Sequence, residues 1–80
     1  MISGLQIRAA RALLRWSAED LAESSNVGIA TVRRYELFDE VPPGTIRTLD
    51  ALHLALEKAG IEFIGTPDDA PGVRLRLKTK

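Results

Sequence analysis

Few side chains in this sequence are equipped for chemistry. It has no cysteine and a single histidine, His53. Disulfides, thiolate zinc sites and thiol nucleophiles are therefore excluded, and most metal and acid–base constellations lack their parts. No cofactor, metal or enzymatic activity is expected. What remains is a pair of adjacent cations, Arg33 and Arg34, close behind the apolar pair Ile29 and Ala30. A guanidinium is a planar fork of donors that can grip two acceptors at once, on a phosphate or on the edge of a guanine. On a merely solvated helix face the same two arginines would do nothing of the kind. Their meaning depends on the elements that carry them.

Two helix starts are written in the sequence. Ser3 followed by Gln6 has the spacing of a capping box, in which the hydroxyl accepts an orphan N–H and the amide side chain reaches back to the cap. Ser17 with Asp20 repeats it, and Ile2/Ile7 and Trp16/Leu21 flank the two boxes as hydrophobic staples. The spacing predicts a first helix of about 11–12 residues and then a tight turn. Ile7, Ala10 and Leu14 share its inner face, Arg11 lies at the margin, and Arg8 and Arg15 point elsewhere. A second helix over about 18–24 turns Leu21, Ala22 and Ser25 inward. Asn26 suits the left-handed turn that follows, and Val27 plugs the core. A third helix then runs from Gly28 or Ile29 to about Phe38, with Val32 and Tyr35 inward and Ile29, Ala30, Arg33 and Arg34 outward.

Asp39 to Gly44, with Pro42-Pro43-Gly44, reads as a loop. Thr45 caps a fourth helix over 46–59 that ends at Gly60, with Leu49, Leu52, Ala55, Leu56 and Ala59 as its inner stripe. Leu54 falls on the charged side of that helix among Arg47, Asp50 and Lys58. His53 sits at the edge of the stripe as a boundary residue. Past Gly60 the apolar period changes from 3.6 to 2: residues 61–64 and 73–78 read as strands around a turn-rich segment. A lone hairpin is marginal and must pack on something. Its alternating Arg74, Arg76 and Lys78 either deter strand addition at a sheet edge or reach phosphate.

The 80-residue length allows one modest core. No apolar run reaches the ~18–20 residues that span a bilayer. A cytoplasmic, nucleoid-associated protein without membrane contact is expected. Net charge is zero, with residues 1–16 at +3 and residues 17–40 at −4. Binding to a polyanion must then come from a local face, because the whole molecule has no basic excess.

The stretch from Leu21 to Glu36 combines two short helices, a small residue (Ala22) where they cross, a turn of three to four residues and an exposed outer face on the second helix. That is the physical description of a helix-turn-helix, whose second helix fits the major groove. Over about residues 4–60 the sequence resembles the helix-turn-helix XRE family, the Cro and lambda-type repressor group. The resemblance rests on Ile7-Arg8, Arg11, Leu13-Leu14, Trp16 to Ala22, Thr31 to Glu36 and the helix from Thr45 to Gly60. The segments 59–64 and 72–76 look like the ending of small single-domain bacterial members.

The resemblance implies a mostly α fold: a four-helix lambda-repressor-like domain over 1–60, with the helix-turn-helix at about 17–36, and a C-terminal β-hairpin over 61–80. It implies that Ile29, Ala30, Arg33 and Arg34 face base edges and that Ser17, Gly28, Thr31 and Arg47 face phosphate. Arg11 and Glu36 match the family's structural ion pair joining the first and third helices. This chain also departs from the pattern. Ala18 stands where a glutamine usually contacts phosphate, Arg15 and Asn26 stand where glycine is common, and Asp39 and Glu40 make an acidic loop. Modest nonspecific DNA affinity is expected.

The function implied is a transcriptional regulator, a repressor binding operator DNA as a homodimer. Recognition helices would then lie about 34 Å apart on one face of the duplex. The dimer is expected through the hairpin and the adjacent face of the fourth helix, with Leu54, Ile61, Phe63, Val73, Leu75 and Leu77 at the contact. A hairpin folded onto its own fourth helix would instead leave a monomer. The other functional reading is a protein-interaction module on the same fold, an antitoxin or anti-activator gripping a toxin or activator, with weak or no DNA binding.

Overall fold

The computed structural model describes residues 1–76: four helices and then a two-stranded antiparallel hairpin. Helix α1 spans Gly4–Leu14, α2 Ala18–Ser25, α3 Ile29–Glu36 and α4 Ile46–Lys58; strand β1 is Ile61–Thr66 and β2 is Asp69–Leu75. Both capping boxes form. Ser3 Oγ accepts from Gln6 N at 3.1 Å while Gln6 Oε1 accepts from Ser3 N at 2.9 Å. Ser17 Oγ accepts from Asp20 N at 3.0 Å and Asp20 Oδ2 accepts from Ser17 N at 2.9 Å. Arg15 and Asn26 end their helices in the left-handed region, at φ 58° and 60°. Neither is glycine, so the two turns carry a cost of roughly 1–2 kcal/mol each, less for the asparagine.

The core is one cluster. Ile7 and Ala10 of α1, Leu21 of α2, Val32 and Tyr35 of α3, and Leu49, Leu52 and Leu56 of α4 are all buried in it, with Ile2 and Ile61 closing its ends. Gly4 explains how tightly α1 meets α3. Its N–H donates to Glu40 O at 2.9 Å, and a Cβ there would collide with the carbonyl oxygens of Phe38 and Tyr35. Only glycine permits that approach of two backbones.

The hairpin pairs Ile61 with Leu75, Phe63 with Val73 and Ile64 with Gly72, with an irregularity between Ile64 and Thr66. It packs on α1 through β2 and on α4 through β1. Gln6 ties it down: Nε2 donates to Ile64 O at 3.3 Å and to Gly72 O at 3.0 Å, so the buried amide serves the cap and the hairpin together. The edge of the Phe63 ring meets His53 of α4 at 4.6 Å between centroids.

Several boundaries differ from the sequence reading: α2 runs to Ser25, β1 runs on to Thr66 rather than ending at Ile64, and β2 ends at Leu75. Helix α3 ends at Glu36 rather than about Phe38. There the Arg8 guanidinium donates to the carbonyls of Glu36 and Phe38 and binds Asp39 at 2.6 Å, satisfying the helix end from outside. Strand β2 begins at Asp69, so Pro71 and Gly72 lie within it. Proline tolerates a strand with a free edge, where its missing N–H leaves no ladder bond broken. Ala59, expected in the inner stripe of α4, serves as its C-cap and is only half-buried.

Candidate nucleic-acid interface

Helix α3 packs on the core through its inner face. Val32 and Tyr35 are buried, and Glu36 joins them at the margin. The turn before it is fixed by Asn26 in the left-handed region, by Val27 N donating to Ala22 O at 3.2 Å, and by Val27 packing on the core. Ser25 Oγ donates back to Leu21 O at 2.7 Å, closing the end of α2. Gly28 is the N-cap of α3 and supplies no side-chain acceptor, so the first amides of this helix are not occupied by a cap.

Of the residues expected to face base edges, Ala30, Arg33 and Arg34 are exposed on the outer side of α3. Ile29 is different: it is half-buried and packed against the core cluster, so most of that side chain supports α3. The two arginines are not equivalent. Arg33 Nη2 lies 2.9 Å from Glu19 Oε2 of α2, with both side chains more than 60 % exposed. Arg34 folds over the ring of Tyr35, 5.8 Å from its centroid, and among the described residues makes no ion pair.

The residues expected to face phosphate are scattered in environment. Thr31 is half-buried, while Gly28 and Arg47 are exposed, at the start of α3 and in the first turn of α4. Ser17 is exposed, but its hydroxyl already accepts from Asp20 N, and Glu19 and Asp20 fill the first turn of α2. Two carboxylates at that helix end oppose a phosphate there. Asp39 carries less free charge than the sequence implies, since Arg8 binds it.

The scaffold beneath this face is an ion pair. Arg11 Nε and Nη2 donate to the two carboxylate oxygens of Glu36 at 2.7 and 2.9 Å, and Arg11 Nη1 donates to Trp16 O at 2.8 Å. The side chains are 24 % and 9 % exposed. The hydrogen bond to Glu36 raises the Arg11 pKa above its ordinary value against the opposing effect of burial. One guanidinium therefore fixes α1, the turn after it and the end of α3.

The hairpin residues expected at a dimer contact are used inside the chain. Ile61 is 3 % exposed in the core, and Phe63, Val73 and Leu75 are half-buried against it. An apolar face engaged by α1 and α4 is not a free surface. Leu77 and Lys78 lie outside the described residues. Leu54 is 57 % exposed, as its position among charged neighbours implied. Arg74 and Arg76 both reach Glu62, at 3.0 and 2.7 Å, across the outward side of the sheet. Those bonds hold the Glu62 carboxyl down at about 2.

The chain matches no protein-family model and no curated protein. No helix among the described residues is long and apolar enough to cross a membrane. Two contacts at the candidate face escaped sequence reasoning, Arg33 with Glu19 and Arg8 with the end of α3. No local signal announces either, because each joins residues on different helices.

Proposed function

We propose that this chain is a sequence-specific DNA-binding transcriptional regulator of the XRE helix-turn-helix kind, a repressor acting as a homodimer, with α3 as the element that enters the major groove. The observation that carries the reading is the outer face of α3: Ala30, Arg33 and Arg34 stand exposed on a helix whose opposite side is locked by Val32 and Tyr35. A short helix with two guanidinium groups on its free face can place a donor fork on guanine O6 and N7 and a methyl beside thymine. The uncapped amides at Gly28 favour a phosphate at the entry to the groove. The four-helix arrangement with Arg11 bound to Glu36 fits the lambda-repressor-like architecture.

Selection from random-sequence duplexes with the purified chain tests this. A consensus site should emerge, and Arg33→Ala or Arg34→Ala should each weaken binding to it by about 1–3 kcal/mol while relaxing preference at one base pair per half-site. Unchanged binding by both variants means that α3 does not read DNA.

A second reading has its own support. Glu19 neutralises Arg33, and Glu19, Asp20 and Glu23 line the exposed part of α2, in a chain with no net charge. Such a surface suits a basic patch on a partner protein, as in an antitoxin or anti-activator. Failure of the selection together with capture of a basic partner by α2 and α3 would favour it.

A further inference from the structure

We propose that two copies of this chain meet through the exposed face of α4, antiparallel about Leu54, with Asp50 of each copy facing Lys58 of the other. The proposal rests on the reading above, in which two copies act together. Of the contact expected from the sequence, through the hairpin and the adjacent face of the fourth helix, it keeps the α4 face with Leu54 and leaves out the hairpin. It adds the Asp50–Lys58 pairing and the antiparallel orientation. Three observations carry it. Leu54 is 57 % exposed in the middle of the helix. It borders a groove of about 210 Å³ between the end of α2 and α4, lined also by Ser24, Ser25, Ala51, Ala55 and Lys58. Small side chains form most of that lining, so a leucine from outside has room to enter beside the resident one.

The third observation is charge. Asp50 and Lys58 sit one turn before and one turn after Leu54, and both are exposed. Neither makes an ion pair among the described residues. Residues four apart lie on one stripe of a helix. When two such stripes run antiparallel and cross at Leu54, the stripe is its own complement: acid meets base on both sides of an apolar centre. A twofold contact requires this kind of self-complementarity. Parallel stripes would set acid against acid and base against base, so the sequence also selects the orientation. Ala51 lets the helices approach to about 8–10 Å.

A contact of one helix face is smaller than the roughly 1,200–2,000 Å² of a standard interface, so the dimer is a micromolar one. Sedimentation equilibrium of the full chain, without DNA, should show reversible monomer–dimer exchange in that range. Asp50→Lys alone and Lys58→Asp alone should each weaken it by about tenfold or more, by placing like charges opposite each other twice. Mixing these two variants should restore association as a heterodimer, since one then carries only bases at the two positions and the other only acids. Circular dichroism melts show whether each variant is folded, and Leu54→Ser, which removes the apolar centre without touching charge, should also weaken pairing. A chain monomeric throughout the micromolar range overturns the proposal. So does a dimer indifferent to both charge reversals, or a mixture that fails to associate although each variant is folded. Because DNA is absent from every arm, these outcomes are independent of whether α3 reads a duplex.

Discussion

Arg33 is held by Glu19. The 2.9 Å contact joins the outer face of α3 to the first turns of α2 across an exposed surface. An exposed pair of this kind contributes about 0–1 kcal/mol to stability. Its effect on recognition is larger than its effect on folding, because the carboxylate takes up Arg33 Nη2, one of the donors that a base edge would need, and adds a negative charge beside an approaching phosphate. Glu19→Gln should therefore leave the melting temperature nearly unchanged. Affinity for a selected duplex should rise several-fold, with a steeper dependence on salt as Arg33 becomes available to DNA. Fluorescence anisotropy across a salt series reads both quantities. Weaker binding by this variant would show that Glu19 instead orients Arg33 for contact.

Arg11 and Glu36 stand in a different regime, since their side chains are 24 % and 9 % exposed and make two parallel hydrogen bonds. Removing one member of a buried pair strands the other, at about 3–5 kcal/mol; the partial exposure of Arg11 places this site near the lower end. Glu36→Ala should lower the melting temperature by about 10 °C or more in a chain this small. Arg11→Ala also loses the bond to Trp16 O and should cost at least as much. The double variant should be less destabilised than the two single variants added together. Strictly additive losses in denaturant titrations would mean that the pair contributes nothing as a pair.

Local signals were legible in the sequence, and distant ones were legible only where a pattern announced them. Ser3 with Gln6 and Ser17 with Asp20 give both helix starts because a capping box is complete within four residues. Asn26 was readable as a left-handed turn because few side chains accept that conformation. The hairpin was readable from its change of period, but not the length of β2, since Pro71 and Gly72 read as turn residues until the strand is seen to have a free edge. Gln6 could be assigned its cap but not its bonds to Ile64 and Gly72, which join segments far apart in the chain. The same distance hid the collar that Arg8 forms on the end of α3. It also hid the burial of Ile29, whose place on a helical wheel is outward until the rest of the core packs beside it.

Glu62 gives the hairpin a dependence on acid. Its carboxyl is held at about 2, lowered from 4.5 chiefly by hydrogen bonds from Arg74 and then Arg76. A carboxyl lowered in the folded state binds protons less readily than in the unfolded chain, so its stabilising contribution is complete above about 4.5. That contribution falls away as the pH drops toward 2, where the folded-state group itself becomes protonated. Glu62→Gln should thus be less stable than the parent at neutral pH. The difference should narrow between pH 4.5 and 2, the window set by those two values, and be gone below it. All three groups are solvent-exposed or nearly so, with side-chain exposures of 36 % for Glu62, 58 % for Arg74 and 72 % for Arg76. The effect should accordingly be small and should shrink further in concentrated salt, which screens exposed charges. Thermal melts of parent and variant across that pH range, at low and high salt, measure it. A difference that stays constant through the acid range would mean that the Arg74–Glu62–Arg76 contacts are not formed in solution.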